Sequence, residues 1–193
     1  MKSISKNQIN EIIINKSKFI TLIYPIKSKE DISNILKDIK ETYKDATHYC
    51  YGYILDNIEK CDDNGEPSGT AGMPILKVLK YNNLTDILCV VVRYFGGIKL
   101  GAGGLIRAYS NSTSEILNKC EIKEIKEGYK IKIILPYDNI KQIDYILKNI
   151  NINKTYDKNV IYKFNIEKSK WENIEKEILK YSNLESKKPV KLV

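Results

Sequence analysis

The chain has 193 residues, of which 42% are hydrophobic and 29% charged, as in a globular protein with a buried core. Its start lacks the apolar segment of a signal peptide, and no run approaches the roughly 18 apolar residues of a membrane helix. Four separated cysteines and one histidine argue against structural zinc and against a disulfide scaffold, so we expect a cytoplasmic protein with reduced thiols.

The positive charge is concentrated in the last third of the chain. Residues 1–125 hold 17 basic and 15 acidic residues, a net charge of +2, whereas residues 126–193 hold 15 basic and 9 acidic residues, a net charge of +6. Such an excess favours an acidic partner such as RNA or the ribosome, although lysine is also an ordinary solvated surface residue. We expect no membrane association and no cofactor, and the sequence leaves the oligomeric state open, with a monomer favoured.

The first part of the chain is predicted to mix strands and helices. Apolar runs, helix caps and turn residues predict strands at 9–14 and 19–26, a helix from Ser28 to about Tyr43, a strand at 48–55, a long loop at 56–72, a short helix from Pro74, a strand at 86–94 and a helix from Leu105 to about Cys120. The strand at 86–94 is a continuous β-rich apolar run, which is typical of a central strand buried on both faces.

A change of pattern marks a second domain. We place the boundary at residues 124–128, which gives domains of 1–125 and 126–193. The second domain is predicted to contain strands at 129–135, 151–156, 160–166 and within 184–193, with helices at 138–149 and 169–181. The order β-α-β-β-α-β is that of a ferredoxin-like fold, and Pro189 places the last strand at an edge.

Glycines are concentrated in one stretch of the first domain. Eight of the ten lie between Gly65 and Gly104, in the two segments Asp62–Gly72 and Arg93–Gly104. Each segment leads into a predicted helix, whose free backbone N–H groups favour phosphate or carboxylate. Neither segment is a Walker A loop or a dinucleotide fingerprint, because the required spacings are absent.

The two segments supply the candidate site residues. The candidate residues for binding an anion or a nucleic acid are Gly69, Thr70, Arg93, Tyr94, Gly96, Gly97, Lys99, Gly101, Gly103, Gly104, Arg107 and Tyr109. Cations would neutralise phosphates, and the aromatic rings, together with Phe95, would stack on bases or pack behind the loop. The acidic residues Asp62, Asp63 and Glu66 either hold a metal or pair with Arg93.

The combination of these residues resembles a known family. The strings DDNGEPSGTAGMPIL and VVVRYFGGIKLGAGGLIRAYS are similar to the signature of the YigZ/IMPACT family. The earlier strings KSKFI and DATHYC agree with that family as well. Asn64 is an insertion relative to the family pattern. The resemblance covers residues 1 to about 125, and the remainder is similar in length and element order to the second domain of the bacterial members.

The resemblance implies a fold for each domain and a function connected with translation. The first domain would be an α+β domain similar to the second domain of ribosomal protein S5, and the second would be similar to the last domain of elongation factor G. Eukaryotic members act as translational regulators through an additional N-terminal RWD domain that these residues do not include, so we do not carry over their partner. For the bacterial members, binding of nucleic acid or the ribosome is implied.

Two other functions would use the same residues. An enzyme of phosphoryl transfer or hydrolysis could hold a divalent cation on Asp62, Asp63 and Glu66. His48 and Cys50, which share one face of a strand, could then supply a base and a nucleophile. A sensor of an anion or small molecule would use the glycine-rich cleft. We favour a non-enzymatic protein that binds RNA or the ribosome and is linked to translation, with no catalytic residue and no metal ligand assigned.

Overall fold

The computed structural model describes residues 1–193 and separates into two compact units, Met1–Glu124 and Ile125–Val193. Both units combine helices with antiparallel sheets, which confirms the α+β fold class. None of the five α-helices has both the length and the apolar character needed to cross a membrane.

The first unit is built around a five-stranded sheet. Its elements are β1 (Lys2–Ile4), β2 (Gln8–Ile14), β3 (Ser17–Pro25), α1 (Lys29–Thr42), β4 (His48–Leu55), β5 (Ile58–Asp62), α2 (Gly72–Tyr81), β6 (Ile87–Tyr94), α3 (Gly101–Leu117) and β7 (Ile122–Glu124). The sheet has the antiparallel order β2-β3-β6-β4-β5, and β1 pairs separately with β7.

Strand β6 is the centre of this sheet, as its apolar sequence predicts. Its side chains alternate between two cores, because successive residues of a strand point to opposite faces. Ile87, Cys89 and Val91 pack with α2 and α3, whereas the intervening Leu88 and Val90 belong to the core that includes α1. Helices therefore cover both faces of the sheet. The predicted central strand, buried on both faces, is confirmed.

Three differences from the sequence-based elements have physical causes. Strand β5 lies in the predicted loop because it is an edge strand with mostly exposed side chains, which gives no apolar alternation. The three-residue strands β1 and β7 pair with each other across the unit, and Lys2 of β1 also exchanges backbone hydrogen bonds with Asn83 and Thr85, so both strands depend on partners that are distant in the sequence. Helix α3 begins at Gly101 instead of Leu105, so the glycines that disfavour a helix lie inside its first turn.

The second unit is a ferredoxin-like domain. Its elements are β8 (Lys126–Leu135), α4 (Ile140–Ile146), β9 (Ile152–Tyr156), β10 (Val160–Glu167), α5 (Lys168–Ile178) and β11 (Asn183–Leu192). The strand order is β11-β8-β10-β9. Pro189 lies in the edge strand β11, as predicted. The helices pack on one face of the sheet, where Ile133, Tyr162 and Trp171 are fully buried.

Candidate functional site

The glycine-rich segment that precedes α2 is closed by a carboxylate of the chain itself. Asp63 accepts hydrogen bonds from the backbone N–H groups of Gly69 (2.7 Å), Ala71 (3.0 Å) and Gly72 (2.8 Å). The hydroxyl of Thr70 is also engaged, because it donates to a backbone carbonyl 2.6 Å away. The N-terminus of α2 is thus already occupied, although sequence alone predicted that it could receive an external anion.

Asp63→Ala is expected to lower the free energy of unfolding by about 2 kcal/mol, because three N–H groups lose one charged acceptor. Urea unfolding followed by circular dichroism measures the change. Glu41→Ala is the control, since Glu41 is an exposed partner of Lys37 at 3.9 Å, and its expected effect is within about 0.5 kcal/mol. A loss no larger than that of the control would show that Asp63 does not cap the helix.

A buried ion pair joins the two glycine-rich segments. Glu66 Oε1 lies 2.5 Å from Arg93 Nη1, and each side chain is at most 5% exposed. The same oxygen accepts a hydrogen bond from the hydroxyl of Tyr109 at 2.8 Å. The guanidinium lies between the rings of Phe19 (5.3 Å) and Phe95 (5.5 Å), while Arg93 Nε has no hydrogen-bond partner. The acidic loop was expected either to hold a metal or to pair with Arg93, and Glu66 forms that ion pair.

Arg93 and Tyr109 are interior residues and do not face solvent. From the sequence, Arg93 was expected either to contact a phosphate or to pair with the acidic loop, and Tyr109 either to stack on bases or to pack behind the loop. In the structure Arg93 pairs with Glu66, and the ring of Tyr109 is fully buried. The hydroxyl of Ser17 accepts hydrogen bonds from Arg93 Nη2 at 3.3 Å and from the N–H of Gly96 at 3.2 Å. Ser17 was not selected as a site residue, because its place in the string KSKFI was the only signal for it in the sequence. These residues position the second glycine-rich segment.

His48 and Cys50 do not form a base and nucleophile pair. His48 Nδ1 lies 2.8 Å from the carbonyl oxygen of Asn64, and His48 Nε2 lies 3.8 Å from Glu66 Oε2. The thiol of Cys50 donates instead to the carbonyl oxygen of Asp63 at 3.0 Å. Burial raises the pKa of Cys50 to about 12, so the sulfur is a neutral thiol near pH 7 and a poor nucleophile.

The remaining carboxylates of the acidic loop are also held within the chain. Asp62 accepts from the N–H of Asn64 at 2.7 Å, while Asp63 caps α2 and Glu66 is buried with Arg93. No group of three histidine, cysteine, aspartate or glutamate side chains is arranged to hold a metal ion. The loop is therefore an ordered structural element that connects β5 to α2.

The second glycine-rich segment leaves the N-terminus of α3 open. Its cap residue, Leu100, offers no side-chain acceptor, and the first turn contains no acidic residue. Gly101 and Gly103 are exposed. The side chain of Arg107 extends toward the N-terminus of the helix. Its Nη1 lies 3.6 Å from the position that a Cβ on Gly103 would occupy. Lys99 is exposed and forms no ion pair.

The glycines of this segment have two different roles. A Cβ at Gly96 would lie 2.0 Å from the backbone carbonyl carbon of Lys16, so the turn between β2 and β3 packs directly on this glycine. Gly104 packs against Leu100. Gly97 and Gly101 have positive φ angles and open space beside them. The half-buried Tyr94 donates to the carbonyl of Lys44 at 3.2 Å.

Known proteins share these segments. The family model of the Impact N-terminal domain matches residues 15–117, which include both glycine-rich segments. The IMPACT family member YvyE of Bacillus subtilis (strain 168) is 40% identical over 168 residues, which cover 82% of this chain and 76% of that protein. The IMPACT family member YigZ of Escherichia coli (strain K12) is 36% identical over 111 residues, which cover 55% of this chain and 54% of that protein.

A solved structure shares the fold. The crystal structure of a hypothetical protein matches with a TM-score of 0.66 and 25% sequence identity, over 95% of each chain. Together with the match of the family model and the 40% identity to YvyE, the likeness confirms the resemblance stated from the motifs. The chain belongs to the YigZ/IMPACT family.

Proposed function

We propose that this family member is a non-enzymatic RNA-binding protein that acts on the ribosome in the regulation of translation. The observation that carries the proposal is the position of Arg107, whose guanidinium lies beside Gly103 at the open N-terminus of α3. A cation at the positive end of a helix dipole is unfavourable unless an anion lies beside it. A bound phosphate would accept from the guanidinium and from the free N–H groups together.

The segment around this helix end has the composition that RNA binding requires. The sequence contains no aspartate or glutamate from Ile87 to Ser114, so no carboxylate of this segment competes with a phosphate. Lys99 adds a second exposed cation. The ring of Phe95 is 46% exposed, and an unpaired base could stack on it. Cations with an exposed ring favour single-stranded RNA over a free inorganic anion.

The family supports the choice of RNA. Its eukaryotic members are translational regulators, and the resemblance of the first unit to the second domain of ribosomal protein S5 points to RNA of the translation apparatus. The acidic loop supports binding more than catalysis, because the Asp62, Asp63 and Glu66 carboxylates already bind partners within the chain. For a metal-dependent reaction, at least two of these carboxylates would have to give up their partners within the chain in order to bind the metal ion.

The double substitution Lys99→Gln with Arg107→Gln tests the proposal. Each phosphate contact with a single strand contributes about −0.7 to the slope of log K against log salt concentration. Loss of two contacts should reduce the slope by about 1.4 and the affinity at about 0.1 M KCl by roughly 25-fold. Fluorescence anisotropy of a labelled oligouridine, titrated at several salt concentrations, measures both quantities.

Lys29→Gln with Lys40→Gln is the matched control, because both lysines are exposed on α1 and the change in charge is the same. An oligouridine affinity that falls equally in both double variants would contradict the proposal. Equal affinity for a mononucleotide and for the oligonucleotide would also contradict it, and would favour a sensor of small anions.

A further inference from the structure

The open face of the four-stranded sheet in the second unit carries a cluster of lysines. Along β8, Ile131 and Ile133 are buried beneath α4 and α5, so Lys130 and Lys132 point to the opposite face. The same alternation along β10, in which Tyr162 and its alternate neighbours are buried, directs Lys163 to that opposite face.

Strand pairing brings these side chains next to one another. Lys132 is directly opposite Lys163, and Lys130 is directly opposite Lys188 of β11. Like charges directly opposite across two strands are destabilising. We call Lys130, Lys132, Lys163 and Lys188 the lysine face.

Carboxylates neutralise little of this charge. Glu185 lies 2.7 Å from Lys132, and Glu167, at the end of β10, pairs with Lys126 and Lys170 outside the lysine face. Lys130, Lys163 and Lys188 are exposed and form no ion pair. Three adjacent uncompensated cations thus remain on a face that no helix covers, and this arrangement favours a ligand with several negative charges.

The shape and polarity of the surface suit a strand of phosphates. Two depressions with volumes of about 200 and 620 Å³ both include Lys130 and Lys163 in their linings. The linings also include neutral donors and acceptors, from Asn153 and Asn165 in one depression and from Ser186 in the other. Polar side chains of this kind make many of the contacts to phosphate and sugar in nucleic-acid complexes.

We propose that the lysine face binds the phosphate backbone of RNA. The inference extends the proposed function by adding a second surface for the same ligand, and it rests on that function for the choice of RNA. None of the residues that the strands direct to this face is aromatic. Sheets that recognise RNA bases stack them on aromatic rings, so contact here is with the backbone and is independent of sequence.

The triple variant Lys130→Gln, Lys163→Gln, Lys188→Gln tests the proposal in the full chain. Loss of three contacts should reduce the salt slope of oligouridine binding by about 2 and the affinity at about 0.1 M KCl on the order of 100-fold. Oligocytidine should bind as oligouridine does at this face. The midpoint of thermal unfolding should stay unchanged or rise, because the opposed charges are removed.

The control is the triple variant Lys141→Gln, Lys176→Gln, Lys180→Gln, which removes three exposed charges on or beside the helices that cover the other face. An equal loss of affinity in both triple variants overturns the proposal. Tighter binding of polyglutamate than of the oligonucleotide, abolished by the first triple variant, also overturns it and identifies an acidic protein segment as the ligand.

The Lys99→Gln, Arg107→Gln variant in the same assay separates this inference from the proposed function. If that variant binds weakly while the lysine-face variant binds as the unmodified chain does, the lysine-face proposal fails and the function at α3 stands. If only the lysine-face variant binds weakly, the site at α3 fails and the lysine-face proposal stands.

Discussion

Glu66→Gln is expected to lower the free energy of unfolding of the first unit by roughly 3–5 kcal/mol, because it leaves a buried guanidinium without its counter-charge. Arg93 depends strongly on this partner. Its Nε has no hydrogen-bond partner, and its other hydrogen bond from a terminal nitrogen is a longer one to Ser17, at 3.3 Å. Amide hydrogen exchange in the central strand β6 measures the change, since exchange there requires the sheet to open.

Two further variants make the result for Glu66 specific. Glu59→Gln removes an exposed carboxylate that lies 2.7 Å from Lys80, and it is expected to change stability by no more than about 1 kcal/mol. Glu66→Gln combined with Arg93→Gln removes both charges and should be more stable than Glu66→Gln alone. If the exposed and buried substitutions have equal effects, the ion pair does not hold the two glycine-rich segments together.

Gly96→Ala is expected to lower the free energy of unfolding by about 3 kcal/mol, at the upper end of the range for overpacking. The added methyl group would lie 2.0 Å from the carbonyl carbon of Lys16. That neighbour is backbone in a tight turn between β2 and β3, where Asn15 and Lys16 both have positive φ angles, so it cannot rotate away as a side chain could. The second glycine-rich segment and the turn would have to separate.

Gly97→Ala is the control for this prediction, and urea unfolding compares the two variants. A Cβ at Gly97 meets nothing within 4 Å, but the residue has a φ of +84°. Alanine there should therefore lower the free energy of unfolding only by the cost of a left-handed backbone conformation, about 1–2 kcal/mol. A Gly96→Ala loss at or below that of Gly97→Ala would show that the turn does not pack tightly on this segment.

The features that sequence predicted well depend on local patterns. The continuous apolar run of β6 identifies a buried strand without knowledge of its neighbours. The first helix was predicted to start at Ser28, and the hydroxyl of Ser28 caps α1 by accepting from the N–H of Asp31 at 3.1 Å. The alternation of helices and strands after Gly128 likewise defines the ferredoxin-like order. The glycine-rich strings identified the family because their spacing is specific.

The features that sequence could not supply depend on which distant groups meet. Asp63 and Glu66 are three positions apart in one acidic loop, yet one caps a helix and the other lies in a buried ion pair. Arg93 and Arg107 are equally cationic in the sequence, but β6 directs the first into the core whereas the second lies on the exposed side of α3. These differences arise from tertiary packing, for which the sequence has no local signal.

The proposed binding of RNA phosphate at the open N-terminus of α3 is tested most directly by amide chemical shifts, measured by NMR during titration with oligouridine. The amides of Ala102, Gly103 and Gly104 should shift with saturation. Those of Ala71 and Gly72 should not, because Asp63 already occupies the N-terminus of α2. Unchanged α3 amides in the presence of bound RNA, or equal shifts at both helix ends, would contradict the claim.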